Sequence, residues 1–288
     1  MDWLKRMNEV INYIEKNLNN EIDYSKIAKI ACCPNYHFQR MFAFITEMPI
    51  SEYIRYRRLT LAALELQNSK CSIIEIAQKY GYTSHSAFTR AFNDFHGVTP
   101  TSARKSGTQL KAYPRMSFDI SIEGRLELNY RIEKRNSFSV VGYKYRVDTD
   151  KSFSIIPIIW QKIKQDGNSD RLLDLLDIDM DLQNSLAGVL GILSEGNWGN
   201  NSTFNYHVAV SYEGKTPVNM EKINFPECKW VVFNVLDLTG FADTWKRLYV
   251  DWMLNSNYSF ADLPAIECYY PPGHNPQNEI WIPIKTIK

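Results

Sequence analysis

The stretch that decides the fold of the first third of this chain is Ile76-Ala77-Gln78-Lys79-Tyr80, Gly81-Tyr82-Thr83-Ser84, His85-Ser86-Ala87-Phe88-Thr89-Arg90-Ala91-Phe92. It reads as a short helix, a tight break and a second helix. The same plan appears earlier as Ile27-Ala28-Lys29-Ile30-Ala31, Cys32-Cys33-Pro34, Asn35-Tyr36-His37-Phe38-Gln39-Arg40-Met41-Phe42. Phe38, Arg40 and Phe42 recur as Phe88, Arg90 and Phe92, fifty residues on. A fixed-offset repeat of this kind marks a duplicated structural unit. Pro34 suits the start of a helix by its fixed φ, and Ser84 by its capping hydroxyl. Helix, tight turn and helix together predict two helix-turn-helix units.

Phe38 with Phe42, and Phe88 with Phe92, lie at i, i+4 and predict the face that anchors each second helix. The side chains expected to face away are Tyr36, Gln39 and Arg40 in the first unit. In the second they are His85, Ser86, Thr89 and Arg90. Arg pairs with guanine edges, Gln with adenine, and Ser or Thr with several bases. Two such helices can enter successive major grooves about 34 Å apart. A long helix beginning at Ser51-Glu52-Tyr53-Ile54 is expected to fix their separation and to place Arg55, Arg57 and Arg58 near phosphates.

Charge supports this division. Residues 1–107 carry 14 Lys and Arg against 10 Asp and Glu, whereas residues 108–288 carry 19 against 22. A basic part joined to a slightly acidic part fits a chain of which only one part meets phosphate. The 288-residue length suits two domains. The five cysteines, Cys32, Cys33, Cys71, Cys228 and Cys268, follow no zinc spacing and read as reduced thiols. The N-terminus is an amphipathic helix pattern with charges throughout rather than a signal peptide. No apolar run approaches the ~20 residues of a membrane span. A soluble cytoplasmic protein with no metal, no cofactor and no membrane partner is expected.

The first hundred residues resemble the DNA-binding domain of the AraC/XylS family. The likeness is carried by the Ile-Ala pairs, Tyr36-His37-Phe38-Gln39-Arg40-Met41-Phe42, Tyr53-Ile54 with Arg58-Leu59, Gly81-Tyr82, Phe88, Arg90, Phe92 and Gly97-Val98-Thr99-Pro100. It implies that the second helix of each unit lies in the major groove of promoter DNA. By position that role falls on Tyr36, Gln39 and Arg40, and on Ser86, Thr89 and Arg90. Two departures bear on the backbone: Cys32 stands where the first turn often has Gly, and Glu47 where Gly often closes the unit. Glycine is the residue that takes positive φ without strain. An N-terminal module followed by a large second domain resembles the Rob-like branch. The protein is expected to bind DNA as a monomer rather than a dimer, with RNA polymerase as a partner.

Residues 108–124 read as a linker. Beyond it strands are predicted at 126–132 and 139–147, a helix at 153–165 starting only near Pro157, and strands at 186–193 and 204–212. The order then repeats: a strand at 229–235, a helix at 239–254, and strands at 265–270 and 279–284. The chain is thus expected to be multidomain, an all-α double helix-turn-helix domain (1–107) followed by a pseudo-symmetric tandem β-α-β-β domain of α+β class (125–288). A cleft between two such halves is a common small-molecule site. Alternation puts Glu267 on the face of Ala265 and Tyr269. It is either an inward carboxylate in need of a cation or a solvent-facing residue on an edge strand.

A second resemblance favours the inward reading. Tyr249-Val250-Asp251-Trp252-Met253-Leu254-Asn255-Ser256, Leu263-Pro264-Ala265-Ile266-Glu267-Cys268-Tyr269 and Ile280-Trp281-Ile282-Pro283-Ile284 resemble the GyrI-like ligand-binding domain. That family implies a Glu at the base of an aromatic cleft which, in multidrug-sensing members, attracts lipophilic cations. Glu267, Tyr143, Tyr206, Trp230 and Tyr249 are the ligand-binding candidates, with Glu279 a weaker second acid. The expected function is a sequence-specific transcription regulator that senses a small lipophilic effector, with no catalytic residue. The alternatives are a hydrolase using Glu267 as base with Tyr206 or Tyr143 as donor, and a ligand-independent nucleoid or architectural protein.

Overall fold

A computed structural model describes residues 3–119, 128–176, 186–197, 203–235, 240–253 and 256–286. The helices before residue 120 are α1 (Trp3–Lys16), α2 (Tyr24–Ala31), α3 (Asn35–Thr46), α4 (Ile50–Asn68), α5 (Ile73–Lys79), α6 (His85–His96) and α7 (Pro100–Ala103). The chain divides into two compact units: Met1–Ala31 with Met48–Ser121, and Cys32–Glu47 with Ile122–Lys288. Helix α3 therefore belongs to the second unit, although its neighbours in sequence belong to the first.

In the first unit the starts of α2, α5, α6 and α7 are fixed locally. Asp23 accepts from the Ser25 and Lys26 amides ahead of α2. Ser72 and Glu75 form a reciprocal capping box at α5. Ser84 accepts from the Ala87 amide at α6, and Thr99 from Ser102 at α7. Gly81 turns α5 toward α6 with φ 82°. A side chain there would also strike the Arg58 guanidinium, 2.9 Å from a Cβ position. Phe88 and Phe92 are fully buried with Leu59, Leu66, Ile76 and Ala77, as the i, i+4 pattern predicted. Residues 108–119 have no regular structure, yet they are fastened to this unit. The Tyr113 amide donates to Thr60 Oγ1 (2.9 Å), Arg57 donates to the Tyr113 carbonyl (2.6 Å), and the Phe118 amide donates to Asn8 Oδ1 (2.9 Å).

The second unit is built on an antiparallel sheet. Its strands are β1 (Tyr130–Arg135), β2 (Phe138–Asp148), β3 (Val189–Asn197), β4 (Thr203–Ser211), β5 (Glu221–Phe225), β6 (Cys228–Val235), β7 (Tyr258–Phe260), β8 (Ala265–Tyr269) and β9 (Asn278–Thr286). Among the described residues the order is β1-β6-β9-β8-β3-β4-β2-β5, with β7 beside β9. The helices are α8 (Ser152–Gln165), α9 (Asn168–Leu173) and α10 (Gly240–Arg247), the last running into a π-helical turn, Leu248–Trp252. The expected duplication is present as β2-α8-β3-β4 and β6-α10-β8-β9, joined through the β3–β8 pairing. The leading strand of each half crosses over: β1 pairs with β6, and β5 with β2. One face of the sheet curls on itself, so that Trp230 of β6 meets Phe225 of β5 at 5.8 Å and Phe138 of β2 at 6.2 Å. The other face carries α8 and α9, whose Ile159, Ile163 and Leu172 bury Val141, Tyr206 and Val208.

Several elements depart from expectation. The first strand begins at Tyr130 and extends to Arg135; residues 126 and 127 of the expected strand lie outside the described residues. Helix α8 starts at Ser152 and runs through Pro157. Burying Ile159 and Ile163 outweighs the one backbone bond that the proline gives up. Strands β5 and β7 are additional; the alternation of Ile223 and Phe225 is a legible trace of β5.

Candidate functional site

On the first unit, α6 presents His85, Ser86 and Arg90 exposed and Thr89 half-buried. The anchoring of Phe88 and Phe92 fixes this geometry. Arg55 is exposed on α4, donating to Glu52 Oε1 at 3.0 Å. The other two arginines of that helix are placed differently from expectation. Arg58 donates to the carbonyls of Leu18 (2.8 Å) and Asn20 (2.6 Å). Arg57 forms a two-pronged pair with Glu15, at 2.9 and 2.8 Å. Burial pulls the Arg58 guanidinium down from its ordinary pKa. Both groups satisfy internal acceptors rather than pointing outward, because they tie α4 to the end of α1 and the turn after it.

The second unit gathers a different set. Glu267 on β8 is only 4% exposed. It sits in a cross-strand row with Ile280 on β9, Gly191 on β3, Val208 on β4 and Tyr143 on β2. Its Oε1 accepts from Trp245 Nε1 at 2.9 Å, and its Oε2 from the Tyr269 hydroxyl at 3.0 Å. Gly191 makes this approach possible. A Cβ there would lie 2.4 Å from Tyr206 Oη and 3.4 Å from Glu267 Oε2. The Tyr206 hydroxyl in turn accepts from Trp160 Nε1 at 2.9 Å. Burial, and after it the Glu267 charge, push the Tyr206 and Tyr269 phenols above their ordinary range, so both stay neutral. Tyr249 stacks on Trp245, with centroids 5.5 Å apart.

The cation at this carboxylate comes from α3. Arg40 pairs with Glu267 Oε1, and its guanidinium lies 4.2 Å from the Trp245 ring centroid and 5.3 Å from that of Phe44. Burial is the largest single influence and lowers the Arg40 pKa, but the Glu267 charge and hydrogen bond together with the neighbouring Tyr249 and Tyr206 phenols outweigh it and raise the pKa overall. On the same helix His37 stacks on Phe260 at 4.8 Å, and Gln39 is 3% exposed. Gln39 and Arg40, expected to face away from the core, are thus enclosed in the second unit. The Tyr36 side chain lies outside the described residues.

Of the ligand candidates, the structure brings Glu267, Tyr206 and Tyr249 together and places the half-buried Tyr143 in the same cross-strand row. It does not bring Trp230, whose ring packs into the opposite face against Phe225, Phe138 and Trp281. Trp245, Tyr269 and Trp160 belong to the site and were missed. Tyr269 was readable, since it shares the face of Glu267 two residues along. Glu279 is also buried, on the other face, where it accepts from Arg131 (2.5 Å), Tyr270 (2.7 Å) and Trp281 (2.9 Å). Among the described residues no group of His, Cys, Asp or Glu gathers that could hold a metal ion, and no helix is long and apolar enough to cross a membrane.

His37 makes the seating of α3 sensitive to acid. Burial first, then the neighbouring Arg40 charge, hold its pKa down to about 3, against 6.5 when free. A released His37 therefore takes up a proton in a window where the seated one cannot. Seating is fully favourable above pH 6.5 and is lost progressively as the pH falls toward 3. Tryptophan fluorescence followed from pH 7 to 4 should report this release. His37→Gln should remove the dependence; an unchanged profile in that variant would assign the transition to other groups.

Comparison with known proteins matches these two regions separately. The family profile described as a GyrI-like small molecule binding domain matches residues 128–285. A helix-turn-helix domain profile matches residues 27–106. The chain is similar to the HTH-type transcriptional activator AarP of Providencia stuartii, 38% identical over 102 residues, covering 35% of this chain and 76% of that protein. It is similar to the regulatory protein SoxS of Escherichia coli K12, 33% identical over 104 residues, covering 36% of this chain and 97% of that protein. Among solved structures, SAV2435 bound to tetraphenylphosphonium aligns at 20% identity and a TM-score of 0.43, covering 55% of this chain and 94% of that one.

Proposed function

The chain belongs to the GyrI-like small-molecule-binding family and, through its helix-turn-helix region, to the AraC family of DNA-binding transcription regulators, and from that premise we propose that it is a one-component sensor of lipophilic cations. Its DNA-binding domain spans residues 1–107, its linker 108–124 and its effector domain 125–288. It acts in the cytoplasm as a monomer that covers two major-groove segments of a promoter and contacts RNA polymerase. The readers are Tyr36, Gln39 and Arg40 on α3 and His85, Ser86, Thr89 and Arg90 on α6, with Arg55 on phosphate.

The observation that carries the sensing role is the setting of Glu267. A carboxylate that is 4% exposed, with Trp245, Tyr206, Tyr249 and Tyr269 around it, already holds a delocalised cation against an indole face. A desolvated acid beside π faces gives a lipophilic cation both charge neutralisation and cation–π attraction. The domain has the donors to hold the Glu267 carboxylate in place, which suits binding rather than turnover.

Two titrations of the full chain test the proposal. Selected duplex DNA should bind with an affinity that falls linearly in log salt. Arg90→Ala should weaken it by about 1–3 kcal/mol and relax preference at one base pair. Tetraphenylphosphonium, a cation with no hydrogen-bond donor, should change the fluorescence of Trp245 saturably. DNA binding indifferent to Arg90→Ala and to salt would sink the first half, and absence of any saturable response the second.

A further inference from the structure

We propose that α3 is the resident occupant of the effector cleft, with Arg40 serving as a tethered cation that a diffusible cation must displace before α3 can read DNA. This rests on Glu267 being the cation site, and the tests below fail separately from that reading.

Arg40 and Arg90 occupy the same place in the sequence repeat, each between two buried phenylalanines. Arg90 is exposed, whereas the Arg40 side chain is 16% exposed and bound to Glu267. One reader of the pair is displayed and the other withheld. The second buried acid supplies the contrast. Glu279 takes its cation from Arg131 on β1, within the sheet itself. Glu267 takes its cation from a helix whose sequence repeat marks it as a DNA reader. An effector bound to Glu267 and Trp245 would use the same carboxylate oxygen and the same ring face as Arg40, so the two exclude one another.

The seated state is also incomplete. Among the described residues, Arg40 Nη1 and the Tyr249 hydroxyl are buried with no hydrogen-bond partner. Buried polar atoms left unpaired raise the energy of the state that contains them. The segment that crosses to the second unit, Cys32–Glu47, carries a left-handed residue at each end: Cys32 with φ 53° and Glu47 with φ 56°. Neither is glycine, so both turns are strained, and a few strained residues at the ends of an element are what absorb a change of placement. Effector and DNA both favour the released helix. Their binding is therefore positively and reciprocally coupled.

The experiment uses the full chain and two variants. Because a competing internal cation multiplies the observed affinity by the released fraction, which is below one, Arg40→Met should bind tetraphenylphosphonium at least about tenfold more tightly than the unaltered chain. A merely structural Arg40 predicts weaker binding, and unchanged or weaker binding overturns the proposal. Independently of any ligand, Glu267→Gln should bind the selected duplex about tenfold more tightly and ignore tetraphenylphosphonium. Circular dichroism establishes that this near-isosteric variant is folded. Unchanged or weaker DNA binding by Glu267→Gln overturns the withholding of α3. If no form binds the probe yet Glu267→Gln still tightens DNA binding, the cation-sensing reading falls and the withheld helix stands. If the unaltered chain binds the probe and neither variant shifts as stated, sensing stands and the withheld helix falls.

Discussion

Phe88→Ala should lower the stability of the helical unit by about 3–5 kcal/mol and remove sequence-selective DNA binding with it. The ring is fully buried on α6, in edge contact with Tyr82 at 5.2 Å and beside Phe92 at 5.5 Å. These neighbours are held by Gly81 and the Ser84 cap and cannot collapse into the space. The loss therefore combines transfer and cavity contributions. It is a large share of the about 5–15 kcal/mol total stability typical of a domain. Urea unfolding of the full chain, followed by probes in each unit, should show the transition of the helical unit shifted to lower urea, with that of the second unit in place. Arg90→Ala is the control, since it lies two residues on and exposed. A Phe88→Ala chain whose helical unit kept its transition would mean that α6 is anchored elsewhere.

Gly191→Ala should disable the proposed effector site from within the sheet. The added methyl would lie 2.4 Å from Tyr206 Oη. Tyr206 is fully buried and cannot swing aside without leaving Trp160 Nε1 unpaired. Overpacking of this kind costs about 1–3 kcal/mol, and the displaced hydroxyl would crowd the carboxylate that the cation needs. A loss of tetraphenylphosphonium affinity of about tenfold or more is expected, with the second-unit transition lowered. Gly191→Ala combined with Tyr206→Phe, which removes the clashing oxygen but leaves Trp160 Nε1 without its acceptor, should recover the cation affinity and only part of the stability. If the double variant were as impaired as the single one, the close approach of Tyr206 would not be what Gly191 is for.

The two helix-turn-helix units were legible because they repeat. Two copies of Phe-x-Arg-x-Phe at one spacing outweigh the ambiguity of either alone. The duplicated β-α-β-β pattern was legible for the same reason. Glu267 was legible only as one of two alternatives, since alternation names the face of a strand but not what covers it. Trp230 and Trp245 show the limit: both are apolar rings in the right half of the chain. Only the curl of the sheet decides that one joins the inner core and the other the acid. Arg40, Arg57 and Arg58 show another. A long cation on a helix reads as exposed, and its partner lies far off in sequence, at Glu267, Glu15 or the carbonyls after α1. Cys32 and Glu47 adopt the backbone that glycine would have adopted, so their departure from the family pattern marks strain, about 1–2 kcal/mol each, rather than a changed turn.

The crossing of β1 to β6 and of β5 to β2 limits how anything reaches Glu267. Each half of the sheet is bordered by a strand that the other half donates, so the halves are stitched at both margins as well as along β3 and β8. Prising them apart like a book would tear all three seams together. A guest bound at the acid would therefore have to displace the groups that α3 and α10 place over it, Arg40 and Trp245, rather than part the halves, and its width would be set by what those two helices can vacate.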